Sequence, residues 1–118
     1  MFINFSNHPS SLWSPEQRDA AEEYGEIIDL KFPIIDPSAP SFDIRKMACQ
    51  YADMIIARSP DVVMCQGEFT LAYNVIHELK KAGIMVVAAC SERKTVDTYE
   101  NGETERISIF EFKQFREY

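Results

Sequence analysis

Residues 62–73 read VVMCQGEFTLAY: an apolar run breaks at Gln66-Gly67-Glu68 and resumes within a few residues as an amphipathic pattern. Strand, tight turn and helix follow one another here. Downstream of the turn, Ala72, Val75, Ile76 and Leu79 recur at the spacing of one helical face, closed by Gly83. Residues 84–90, IMVVAAC, then form the continuous apolar run of a central parallel strand.

The same alternation extends upstream. Residues 2–5, FINF, read as a buried strand opening into the polar loop Ser6-Asn7-His8-Pro9. Ser14, Pro15 and Gln17 satisfy the rules for a helix start, as N-cap, first-turn proline and capping-box partner, with Gly25 as a left-handed stop and residues 26–30, EIIDL, as the next strand. Three prolines in residues 31–42 exclude a regular ladder and mark a long surface connection. Ile44, Met47, Ala48, Tyr51 and Ile55 then give a second helical stripe. The expectation is a single α/β domain over residues 1–118, a Rossmann-like parallel sheet with helices on both faces. Asn101-Gly102 predicts a C-terminal antiparallel β-hairpin over residues 93–113, extending one edge. Its second strand is irregular, with Ile107 and Ile109 on one face and Phe110 and Phe112 on the other, so either a bulge intervenes or both faces are covered, as at a subunit interface.

Composition narrows the function classes. The 118 residues carry a net charge of −7, which argues against binding duplex DNA, since that demands a broad basic surface. No segment approaches the roughly 18 apolar residues of a membrane span, and nothing resembles a leader, so no membrane partner and a cytoplasmic location are expected. Cys49, Cys65 and Cys90 sit in apolar contexts without Cys-x-x-Cys spacing, and read as reduced core thiols. No cluster of metal-ligand type stands out, so no cofactor is expected.

Open α/β sheets bind ligands beyond the carboxyl ends of their strands. Three segments are expected to meet there: Ser6-Asn7-His8-Pro9, Gln66-Gly67-Glu68-Phe69-Thr70, and Ser91-Glu92-Arg93-Lys94. Gly67 permits close approach to the backbone. Glu68 either answers the helix dipole or accepts hydrogen bonds from ribose or adenine, and Thr70 is a helix-start hydroxyl. Arg93 and Lys94 either solvate a strand start or hold phosphodiester charge. His8 is the candidate for proton transfer, Trp13 and Phe69 either stack on a base or pack, and His77 lies off the apolar stripe at a surface or interface.

FSNHPSSLWSPEQ at residues 5–17, CQGEFTLAY at 65–73, ACSERK at 89–94 and FEFKQFREY at 110–118 together resemble a group of small Csx-type CRISPR-associated proteins. That group is regarded as ring nucleases of type III CRISPR systems, related to the CARF domains that bind cyclic oligoadenylate. Members carry Asp where Glu68 stands and Thr-Thr-Lys-Arg where this chain has the longer Cys90-Ser91-Glu92-Arg93-Lys94. The resemblance implies a homodimer acting on cyclic tetra-adenylate, with a ribose 2'-hydroxyl attacking the adjacent phosphate without metal. It implies Arg93 and Lys94 as phosphate contacts, Glu68 and Gln66 as ribose or base contacts, and His8 or Ser6 in positioning or proton transfer. A sensor or sponge that binds without turnover, and a transferase or hydrolase with Glu68 as nucleophile, are the competing readings.

Overall fold

The apolar runs become strands because their β-branched and aromatic side chains pack a sheet from both sides, and the helical stripes cover it. The computed structural model describes residues 1–118. In chain order the elements are β1 (Phe2–Ser6), a 3₁₀ turn (Ser10–Leu12), α1 (Pro15–Glu22), β2 (Ile27–Lys31), α2 (Ser41–Ile56), β3 (Val62–Cys65), α3 (Phe69–Lys81), β4 (Met85–Glu100) and β5 (Glu103–Glu117). They form one five-stranded sheet of order β2-β1-β3-β4-β5. The first four strands are parallel, and β4 pairs antiparallel with β5.

Alternation along the strands divides the core in two. Ile3, Phe5, Val63, Cys65 and Val86 face α2 and α3, whose buried stripes are Ile44, Ala48, Ala52 and Ile55, and Leu71, Ala72, Val75 and Leu79. Phe2, Val62, Met64 and Val87 face the other way, against Ala21 of α1 with Trp13 and Phe115 beside them. Helices therefore cover both faces, as the sequence predicts. No helix is long and apolar enough to cross a membrane.

The local signals behave as their chemistry requires. Ser14 accepts a hydrogen bond from the Gln17 amide at the start of α1, with Pro15 in the first turn. Gly25 and Gly83 end α1 and α3 at φ +107° and +80°. Asn101 and Gly102, at φ +54° and +80°, supply the two positive angles that a type I′ turn needs.

Two expectations are corrected. The segment Ser91-Glu92-Arg93-Lys94 is not a loop: β4 runs unbroken from Met85 to Glu100, because β5 pairs with it from Val87 to Glu100. Pairing of β4 with β3 stops at Val87, so from Ala88 onward β4 and β5 make a two-stranded ribbon that leaves the sheet. The radius of gyration is 16.9 Å, against about 13.5 Å for a globule of this length, and the ribbon accounts for the excess. The second correction concerns the thiols: Cys65 is buried and Cys49 is exposed.

The irregularity in the last strand is a bulge. Cys90 pairs with Gln114 and Ser91 with Phe112, so Lys113 is the extra residue. The inserted residue resets the alternation, and Phe110, Phe112 and Phe115 fall on one face. Phe112 and Phe115 sit 4.9 Å apart, and Phe115 lies 5.0 Å from Phe2. Beyond the bulge the ribbon is apolar on both sides, because Val96, Ile107 and Ile109 take the opposite face.

Candidate functional site

The winding reverses between β1 and β3, since β2 lies on one side of β1 and the rest of the sheet on the other. At the carboxyl ends of these strands, beside the stretch of β4 just past its last pair with β3, lies a cavity of about 610 Å³ whose walls include His8, Trp13, Gln66, Ser91, Phe110 and Phe112. One residue from each of the three expected segments lines it.

A polar network anchored on the buried Asn4 and Ser6 fixes the loop that carries His8. Asn4, in the middle of β1 and 1% exposed, donates through Nδ2 to the His8 carbonyl at 2.8 Å and to Asp29 at 3.0 Å. Its Oδ1 accepts from the Ser6 hydroxyl at 2.6 Å. Asp29, the register partner of Asn4 in β2, also accepts from the Ser10 amide and hydroxyl. Ser6, a candidate ligand contact, is thus committed inward, and Asn7 and His8 are exposed beside it. Asn4 and Asp29 were not among the candidate residues. The signal was present as a polar residue inside each of two apolar runs.

Gln66 is tied by Oε1 to the amide of Ala89 at 2.9 Å, just past the last β3–β4 pair. Its side chain extends the ladder where the backbone of β3 has turned away, and its amide nitrogen has no partner within the protein. Trp13 packs edge-on to Phe2 at 6.1 Å and beside Phe115 at 6.2 Å. Its Nε1 is enclosed without a hydrogen-bond partner.

The structure separates Arg93 from Lys94. Arg93 pairs with Phe110 and shares the cavity's face of the ribbon, where its guanidinium donates to the Ser108 hydroxyl at 3.0 Å. Lys94 points to the opposite face and ion-pairs with Glu111 at 2.6 Å. Hydrogen bonds from Lys94 and then Lys113 hold the Glu111 carboxyl below the usual carboxylate range.

Glu68, Phe69 and Thr70 also part from the cavity. Glu68 is the N-cap of α3, accepting from the amides of Thr70 and Leu71 at 3.0 and 2.9 Å and from the Thr70 hydroxyl at 2.7 Å. The bond from the Leu71 amide, then those from Thr70, keep its carboxyl acidic relative to an ordinary glutamate. The Thr70 hydroxyl bonds this carboxylate rather than backbone. Both residues line a different hollow of about 640 Å³, between α3, Arg45 of α2 and the proline-rich connection.

Gly67 has a packing reason. A Cβ built there meets three atoms of the Phe32 ring at 2.6 Å, and Phe32 is buried against Phe5. Gly67 also borders a third hollow of about 880 Å³ along α3, with Gln66, Phe69, Tyr73, His77 and Lys80. Tyr73 and His77 stack there one helical turn apart. Gln66 is common to this groove and the first cavity.

The family model described as Uncharacterized protein MJ1673 family matches residues 1–116, and the chain belongs to that family. Comparison with curated proteins and with solved structures found no match.

Proposed function

We propose that this member of the family is a ring nuclease that binds cyclic tetra-adenylate at the switch-point cavity and opens it by 2'-hydroxyl attack, on a Rossmann-like scaffold akin to CARF domains. The observation that carries the reading is the convergence of His8 and Gln66, at the carboxyl ends of β1 and β3, with Ser91 from within β4, between aromatic walls and on the face that Arg93 shares. The sheet order, with its reversal beside β1, supports a nucleotide ligand at this point.

In the proposed reaction the ribose 2'-oxygen bonds to phosphorus and the bond from phosphorus to the 5'-oxygen breaks. The 2'-hydroxyl proton goes to a base, and the departing 5'-oxygen takes up a proton. A linear product with a 2',3'-cyclic phosphate results. His8 handles the proton, since the Ser6 hydroxyl is held by Asn4. Arg93 balances charge on the non-bridging phosphate oxygens, Gln66 and Ser91 hydrogen-bond the nucleotide, and Trp13, Phe110 and Phe112 offer ring faces to adenine. Rigid placement of the loop by Asn4 and Asp29 serves the in-line geometry such an attack needs. A twofold dimer matches the twofold axis of a four-membered ring.

Glu68 and Lys94 take no part in this version. A carboxylate already accepting from two amides and a hydroxyl is a poor nucleophile, which also weakens the reading as a Glu68-dependent transferase.

The test is incubation with cyclic tri-, tetra- and hexa-adenylate in chelator, with products resolved by chromatography and mass. Cleavage of the tetramer ring is expected. Arg93→Ala should slow it about a hundredfold or more, on the scale of losing one charge-stabilising donor, and Lys94→Ala should leave it unchanged. Tight binding without product would establish the sensor instead, and neither binding nor product would end the reading.

A further inference from the structure

The ribbon presents an unusual surface. From Ala88 onward β4 has only β5 as neighbour, and a two-stranded ribbon by itself is marginal in water. Yet this one carries Tyr99 at 78% and Phe110 at 73% exposure on one face and Val96, Ile107 and Ile109 on the other. Around its turn stand Glu100, Glu103 and Glu105, none of them in an ion pair within the chain. Across the molecule, the groove along α3 has the complementary chemistry. Phe69 and Tyr73, at 89% and 69% exposure, form an apolar floor, and Lys80 and Lys81 stand at its far end near Tyr118.

We infer that the β4–β5 ribbon of one copy docks the face bearing Val96, Ile107 and Ile109, with Glu100, Glu103 and Glu105 toward its tip, into the α3 groove of a second copy, with the exchange repeated about a twofold axis. The eight residue pairs from Arg93↔Phe110 to Glu100↔Glu103, at a rise of about 3.3 Å and a strand spacing of about 4.8 Å, give a ribbon face about 26 Å by 10 Å. Laid against a groove and doubled by symmetry, that face removes about 1,000 Å² of surface in total, where specific interfaces begin. The carboxylates meet the two lysines, and the ribbon's side chains cover Phe69 and Tyr73. The charge match sets register and partner choice, and the apolar contact supplies most of the affinity. The inference deepens the dimer in the proposed function but does not rest on its chemistry, so a failed cleavage assay leaves it standing.

The experiment is sedimentation velocity on the full chain over a wide concentration range. The unaltered protein should sediment as a dimer. Glu100→Lys with Glu103→Lys, at the exposed turn, should weaken the dimer about tenfold or more, as should Lys80→Glu with Lys81→Glu. Mixing the two variants should give a heterodimer in which both interfaces are charge-matched, one as in the parent and one with the signs exchanged, and combining all four changes in one chain should recover the dimer. Far-UV circular dichroism checks the α3 variant; if it is unfolded, Lys81→Glu alone takes its place. A monomer at every concentration overturns the inference. So does a dimer indifferent to the α3 changes, which would mean that ribbons pair with each other, and so does failure of the combined variant to re-form the dimer.

Discussion

Substituting Gly67 by alanine separates two reasons for that glycine, close approach of a ligand and close approach of Phe32. The new methyl carbon would lie 2.6 Å from Cδ2, Cε1 and Cε2 of the Phe32 ring, about 1 Å inside ordinary carbon contact. The ring cannot swing aside, because its centroid is 4.8 Å from that of Phe5, which is itself stacked on Tyr51 at 5.1 Å. Overpacking of this kind costs about 1–3 kcal/mol. With an unfolding entropy of about 2.1 cal/mol/K per residue, a chain of this size has about 0.25 kcal/mol/K in all, so a loss of about 2 kcal/mol lowers Tm by about 8 °C. Thermal melts followed by circular dichroism should show that shift. The decisive comparison is a double-mutant cycle with Phe32→Leu, whose smaller and more pliable side chain yields to the methyl. On that background the cost of Gly67→Ala should fall by at least about 1 kcal/mol. Equal costs on both backgrounds, or an unchanged Tm accompanied by lost cyclic tetra-adenylate binding, would refute the packing argument.

Asn4→Ala removes the donor to the His8 carbonyl and Asp29 and the acceptor for Ser6, and should cost about 1–3 kcal/mol in denaturant unfolding. Under the proposed function it also lowers kcat for the cyclic ligand more than it raises KM, because the His8 loop is no longer held. Glu68→Gln should destabilise through the α3 cap by about 1 kcal/mol near neutral pH while sparing turnover. Because the folded carboxyl is more acidic than its ordinary value of 4.5, the advantage of the parent is full above that value and fades as pH falls through the lower folded one. Unfolding curves of both proteins across acid pH should therefore converge. Burial pushes the Cys65 thiol up to about 12, whereas Cys49 is exposed. Intact-mass analysis after treatment with a thiol reagent should find Cys49 modified in the folded protein and Cys65 only after unfolding.

Elements whose causes are local were legible from the residues alone. Helix starts and stops at Ser14, Gly25 and Gly83, the turn at Asn101-Gly102 and the alternation of apolar runs with amphipathic stripes depend on residues within one or two turns of each other. The carboxyl-end placement of His8 and Gln66 followed from that order, because a parallel sheet puts such segments at the same edge, whereas Ser91 reaches the cavity from within β4. Tertiary structure decided the rest, through partners distant in the chain. Gly67 answers to Phe32, and Asn4 to Asp29. Arg93 and Lys94, adjacent in sequence, part to opposite faces because pairing with β5 draws residues 91–94 into a strand, where successive side chains alternate. A two-residue period turns one misplaced strand end into a misassigned site, and only the neighbouring strand fixes where that end lies.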